Sequence, residues 1–144
     1  IYNEDLEAIV ADAVVVSDER FALSDRTITS GLASAPMASV SVAVDGEIHE
    51  TVATGVGPVD AIFKAIAELT GTGSELIRYQ VHAVTAGLDA QAEVSVTIEE
   101  GGRRVVGNGV HEDVMVASAR SYVHAINKLE WHKRRREVDA PRGI

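Results

Sequence analysis

Without cysteine, chemistry in this 144-residue chain would have to come from histidines, carboxylates, hydroxyls and backbone amides. Disulfides, zinc–thiolate sites and thiolate nucleophiles are excluded at the outset. The five histidines, His49, His82, His111, His124 and His132, include no pair four apart on one helix, the spacing that aims two imidazoles at one metal. Carboxylates pair at Glu99-Glu100 and Glu112-Asp113, both beside turns. The first pair reads as a solvated hairpin tip, and Asp113 as a helix N-cap, with Asp60 doing similar work at an earlier helix. Ser118 and Ser121 fall in a helical stretch with no nucleophile-elbow motif. The glycines remain. Gly55-Val56-Gly57 precedes a helix, where exposed N–H groups can cradle a small anion such as an amino-acid carboxylate; a tight strand-to-helix turn is the alternative. A dinucleotide fingerprint needs a third glycine where Asp60 stands, and no Gly-Lys-Ser/Thr occurs. These residues point to a binding or assembly module without an assembled catalytic centre.

The elements that position them follow from hydrophobic period. Leu6, Ile9, Val10 and Ala13 have helical spacing behind an Asn3 N-cap. Ala38, Val40, Val42 and Val44 alternate with small residues as a half-buried strand, and Asp45-Gly46 predicts a type I′ hairpin into a return strand over 47–54. Pro58 suits the first turn of a helix whose apolar face is Val59, Ile62, Phe63, Ile66 and Leu69, stopped by Gly71 and Gly73. The plan then repeats. A strand over 75–86 leads through Gly87-Leu88-Asp89 to Val94, Val96 and Ile98, Gly101-Gly102 turns the chain, and Gly107-Asn108-Gly109 is expected to end the return strand. A second helix turns Val116, Ala119, Val123, Ile126 and Leu129 inward. The two halves are copies of one strands-then-helix unit of about 50 residues. Two such units pack most simply as an α+β domain with helices against antiparallel sheet. The expected divisions are a linker end over 1–25, repeats over 26–73 and 74–132, and a solvated, disordered basic tail over 133–144.

Apolar residues make up 46% but aromatics only 4%, so the core must be built from Ala, Val, Ile and Leu. A charge of −9 argues against a general nucleic-acid partner, and no apolar run reaches the roughly 20 residues of a membrane span. The basic run Lys133-Arg134-Arg135-Arg136 stands out; solvation, or contact with an acidic neighbour, are the two readings. The chain starts at Ile1 without signal or transit character, as if cut from something longer, and the cysteine count fits a cytoplasmic protein.

Three stretches carry a resemblance. They are Gly55-Val56-Gly57-Pro58-Val59-Asp60-Ala61 with Lys64-Ala65-Ile66, Ala86-Gly87-Leu88-Asp89-Ala90-Gln91-Ala92-Glu93-Val94, and Val116-Ala117-Ser118-Ala119-Arg120-Ser121-Tyr122 ending in Ala125-Ile126-Asn127-Lys128-Leu129. In order and spacing the chain resembles the C-terminal regulatory domain of 2-isopropylmalate synthase, and residues 3–8 resemble the end of the linker before it. The resemblance implies a parent enzyme that condenses acetyl-CoA with 2-oxoisovalerate in a barrel holding a divalent metal, upstream in the same chain. It also implies a homodimer and leucine bound as feedback inhibitor, with no cofactor and no catalysis in this part. Carried over by position, the effector would be lined by Gly55, Gly57, Val59, Asp60, Leu76, Tyr79, Ala83, Ala90 and Ala92, with a second glycine loop at Gly109 and Val110 closing the pocket. Val56 departs from the family pattern, where Asn or Asp often sits. Isoleucine sensing, as in citramalate synthase, and a dimerisation module without an effector are the alternatives.

Overall fold

The computed structural model describes residues 19–24, 29–32, 36–86 and 89–139. Alternating apolar residues form seven strands: β1 (Phe21–Leu23), β2 (Thr29–Leu32), β3 (Pro36–Val44), β4 (Glu47–Thr54), β5 (Glu75–Ala86), β6 (Asp89–Glu100) and β7 (Arg103–His111). Helix α1 (Pro58–Thr70) follows β4, and α2 (Val114–Asp139) follows β7. The expected helix near Leu6 lies outside the described residues.

The β3–β4 and β6–β7 hairpins turn where the glycines predicted, and Gly87-Leu88 of the β5–β6 turn lies outside the described residues. Asp45 and Gly46 have φ of 51° and 87°, and Gly101 and Gly102 have 59° and 80°, the double positive φ of a type I′ turn. β3 pairs antiparallel with β4 on one edge, and on the other with β1 at Val42–Val44 and β2 at Pro36–Ser39. In the second repeat one long strand, β5, takes that edge, and β6 lies between it and β7. The α+β duplication read from sequence is therefore present, with three antiparallel positions and a helix in each copy.

The helices lie between the sheets. Val40 and Val42 of β3 are buried with Ile62 and Ile66 of α1, as are Val94, Val96 and Ile98 of β6 with Ala119, Val123 and Ile126 of α2. Each helix also reaches across: Phe63 of α1 packs its ring against Tyr79 of β5, and Asn127 of α2 bonds Phe21 of β1. α2 is thus buried on most sides, and small residues make that possible. Ala117, Ser118, Ala119, Ser121 and Ala125 are fully buried.

Four expectations change. Gly107-Asn108-Gly109 does not end a strand, for β7 runs on to His111. A Cβ at Gly107 would lie 2.1 Å from the Ser121 carbonyl oxygen, and one at Gly109 2.2 Å from that of Ala117. These glycines let α2 lie directly on the sheet. Asp60 and Asp113 are also not equivalent. Asp113 is the N-cap of α2, accepting the Met115 N–H at 2.8 Å, whereas Gly57 is the N-cap of α1 and Asp60 lies in its first turn. The basic run, finally, is not a tail at its start. The helix continues to Asp139, with Lys133 Nζ 2.7 Å from Glu100 and the Arg135 guanidinium 5.2 Å from the Trp131 ring centroid. Likewise β1 already begins the domain inside the segment expected to be linker.

Candidate functional site

The β4–α1 loop is shaped by one carboxylate. Asp60 Oδ2 accepts the Val56 N–H at 2.9 Å and lies 3.2 Å from Lys64 Nζ, one turn on. The hydrogen bond from Val56 holds the Asp60 carboxyl below its usual pKa, burial opposes this, and Lys64 adds to it. This packing explains Gly55. A Cβ there would be 2.5 Å from Asp60 Oδ2 and 2.6 Å from the Ala61 nitrogen, while the Gly55 N–H donates to Pro36 O at 3.0 Å. Gly57 is different. Its φ of −146° is open to any residue, and a Cβ there would meet nothing within 4 Å. One glycine serves the turn; the other leaves open space.

Beside this loop, α1, β5 and α2 converge on three aromatic rings. Phe63 meets Tyr79 edge-on at 5.7 Å and Tyr122 at 4.7 Å. Ser118 Oγ donates to Val114 O at 2.7 Å, so the Tyr79 hydroxyl, also 2.7 Å from Ser118 Oγ, is the donor of that pair. Tyr122 is bonded to Ser74, and burial raises its pKa above the usual phenol value. Val59 is one turn before Phe63 on the same side of α1 and partly buried against the core.

The β5–β6 register sets Leu76, Tyr79 and Val81 opposite Ile98, Val96 and Val94 on the helix-facing side, and pairs Ala83 with Ala92. Leu76 stays 45% and Val81 47% exposed, and Ala90, on the same side of β6, is exposed as well. At Leu76 near its open end, and at Val81 and Ala90 towards its tip, the hairpin therefore presents apolar side chains that the helices leave uncovered. Of the positions carried over from the resemblance, Val59, Leu76, Tyr79, Ala83, Ala90 and Ala92 share this region by side or register, with Gly57 opening towards solvent. Gly109 lies under α2, and Val110 points to the outer face of its sheet, 42% exposed. Neither belongs to a loop, because the strand extends through both. Val56, at 92% exposure, offers the loop no polar side chain.

Several hydroxyls and imidazoles outside this region have partners. Ser121 Oγ donates to Ser118 O, and Nδ1 of His124 and His111 accept the N–H groups of Asn108 and Asp113. Among the described residues no cluster of three or more His, Asp or Glu could hold a metal ion. A depression of ≈ 300 Å³ lined by His49, Thr51, Glu68 and Leu69 lies at the other end of α1 and shares no residue with the region above. The Tyr79–Ser118 bond and the α2 bed of Gly107 and Gly109 were not anticipated; the small residues of Val116–Tyr122 were the only signal for the latter.

A family model described as the LeuA allosteric (dimerisation) domain matches residues 1–130. The 2-isopropylmalate synthase of Syntrophus aciditrophicus is 46% identical over 134 residues, covering 93% of this chain and 26% of that protein. That of Dechloromonas aromatica is 44% identical over 145 residues, covering 100% and 28%, and that of Heliobacterium modesticaldum 44% over 129, covering 90% and 25%. The chain spans about a quarter of the length of these curated relatives.

Proposed function

The chain belongs to the family of LeuA allosteric (dimerisation) domains, and on that premise we propose that it is the leucine-sensing regulatory part of a 2-isopropylmalate synthase. The observation that carries the reading is the uncovered apolar side of the β5–β6 hairpin beside the glycine loop. Leu76, Val81, Val59 and the Tyr79 ring offer walls for an isobutyl chain, and the unfilled space at Gly57 offers backbone groups for its charged end. The parent enzyme would condense acetyl-CoA with 2-oxoisovalerate in a metal-dependent barrel elsewhere in its chain, in the cytoplasm. No helix among the described residues is long and apolar enough to cross a membrane. Two copies would pair, covering apolar residues that one copy leaves exposed. Inhibition is then a population shift, which requires that leucine bind the inhibited arrangement more tightly than the active one.

Calorimetric titration with leucine, isoleucine and valine tests this, with sedimentation reporting the dimer. Leucine should bind most tightly. Heat from isoleucine alone would transfer the chain to the citramalate-synthase type of sensor. No heat from any of the three, in a folded dimer, would leave a dimerisation module, the reading that the apolar and exposed Val56 favours.

A further inference from the structure

The two repeats differ in two places, and the differences touch. Their hairpin turns are at Asp45-Gly46 and Gly101-Gly102, and their helices start at Pro58 and Val114, a constant offset that sets Asn127 opposite Gly71, where α1 stops. α2 continues beyond that point, with 26 residues to the 13 of α1. The second difference is the edge strand. β5 runs twelve residues along β6 with one shift beside Ile77, whereas the same edge of β3 is shared by β1, three residues, and β2, four. The Ser24 N–H bonds Ser41 O and Thr29 pairs with Ser39, so the first-repeat chain gains surplus residues between its two short strands.

The extra length of α2 meets β1. The N–H and C=O of Phe21 point away from β3, towards an edge that no strand among the described residues covers. The Asn127 amide meets both: Oδ1 accepts the Phe21 N–H at 3.0 Å and Nδ2 donates to Phe21 O at 2.8 Å. A primary amide carries the donor and acceptor of a peptide group, so Asn127 substitutes for one residue of a neighbouring strand. It is only 3% exposed, and Phe21 not at all. Next to it, Arg20 lies 2.9 Å from Glu130 of α2 and 3.4 Å from Asp45 of the β3–β4 turn, with its guanidinium 5.0 Å from the Phe21 ring centroid.

We infer that Asn127 is a positioning residue, the clasp through which α2 holds β1 and so fixes where the chain preceding residue 20 joins the domain. A three-residue strand at a sheet edge has little hold of its own. With the clasp closed, β1 follows α2; with it open, β1 detaches while β3, β4 and the helices stay folded.

Amide hydrogen exchange on the 144-residue chain tests the clasp, using Asn127→Leu, which keeps the branched heavy-atom skeleton and removes both bonds. The amides of Ala22 and Ser24, which Asn127 does not touch, should exchange about ten- to thirty-fold faster, and those of β6 and β7 should keep their rates. Unchanged rates at Ala22 and Ser24 would overturn the assignment. Should the variant not fold, the unaltered chain decides. Its Ala22 and Ser24 amides should exchange at least about ten-fold faster than those of β6, by local opening; exchange in step with β6 refutes a detachable strand. A further arm rests on the leucine-sensing reading: in the full-length synthase, Asn127→Leu should bind leucine as the parent does yet show reduced maximal inhibition, and inhibition as complete as the parent's would refute the coupling. A parent enzyme that ignores leucine would defeat the sensing reading, leaving the clasp to be judged by exchange alone.

Discussion

The two glycines of the β4–α1 loop should respond oppositely to the same added methyl. At Gly55 a Cβ would be 2.5 Å from Asp60 Oδ2 and 2.6 Å from the Ala61 nitrogen. The carboxylate can rotate away, but only by giving up the Val56 N–H, and the Ala61 nitrogen belongs to the helix backbone and cannot yield alone. Overpacking of this kind costs about 1–3 kcal/mol, and losing a hydrogen bond to a charged group costs about as much. Gly55→Ala should therefore lose several degrees of melting temperature. At Gly57 a Cβ would have nothing within 4 Å, and the backbone is extended. The small preference for Gly over Ala at an N-cap is offset by the lower unfolded-state entropy of Ala, so stability should change by less than about 1 kcal/mol. If that space belongs to the effector, the same methyl crowds the ligand. The penalty of about 1–3 kcal/mol then falls on affinity, roughly a five- to 150-fold weaker Kd. Thermal melts and leucine calorimetry on both variants separate the outcomes. Leucine bound by Gly57→Ala as tightly as by the unaltered chain would remove Gly57 from the pocket, and an unchanged melting temperature in Gly55→Ala would refute the close approach of Asp60.

Other consequences are as direct. Gly107→Ala must push α2 off the sheet, because its Cβ would be 2.1 Å from a helix carbonyl, and should cost about 3 kcal/mol or more in denaturant titration, as should Gly109→Ala. Asp60 has its pKa lowered on folding, so its contribution is present above the unfolded carboxyl value and lost as pH falls through the lower folded one; acid titration followed by the Val56 amide resonance should show the loop opening there. For Tyr122 the folded pKa is raised, so its contribution is complete below the unfolded phenol value and is lost as pH rises through the folded one. Ultraviolet titration should show one tyrosine ionising late. Tyr79→Phe keeps the ring against Phe63 and removes only the bond to Ser118, costing about 0.5–1.5 kcal/mol by chemical denaturation.

The legible parts of this fold are those set by local rules. Asp45-Gly46 and Gly101-Gly102 needed only the positive φ of a tight hairpin, and the alternation of Val40 and Val42 needed only one buried face. Where the reading went astray, a distant partner decided. Gly107 and Gly109 look like punctuation in sequence, yet their lack of a side chain is demanded by residues of α2 that come eight or more positions later. Lys133 and Arg135 look like a solvated tail because their partners, Glu100 and Trp131, are not apparent in a charge count. The candidate effector positions came from the family resemblance, and residue type alone marked them only as small or apolar. That Leu76, Tyr79 and Val81 would share one side of β5 depends on the register shift beside Ile77, which no propensity announces.

The buried helix also gives a physical connection between the aromatic cluster and β1. The Tyr79 hydroxyl is tied through Ser118 to the first turn of α2, and Asn127, nine residues further along the same helix, is tied to Phe21. That separation is about 14 Å of hydrogen-bonded helix. A sheet transmits displacement poorly when one of its strands is three residues long, but a helix packed on both faces moves as a unit. The small residues along it matter for this reason as well as for packing. Gly107 and Gly109 let the α2 backbone approach β7 closely, and Ala117 and Ala125 are fully buried, so α2 is held against the sheet along this length. Duplication supplied two equivalent helices, and only the longer one spans from the aromatic wall to the start of the domain.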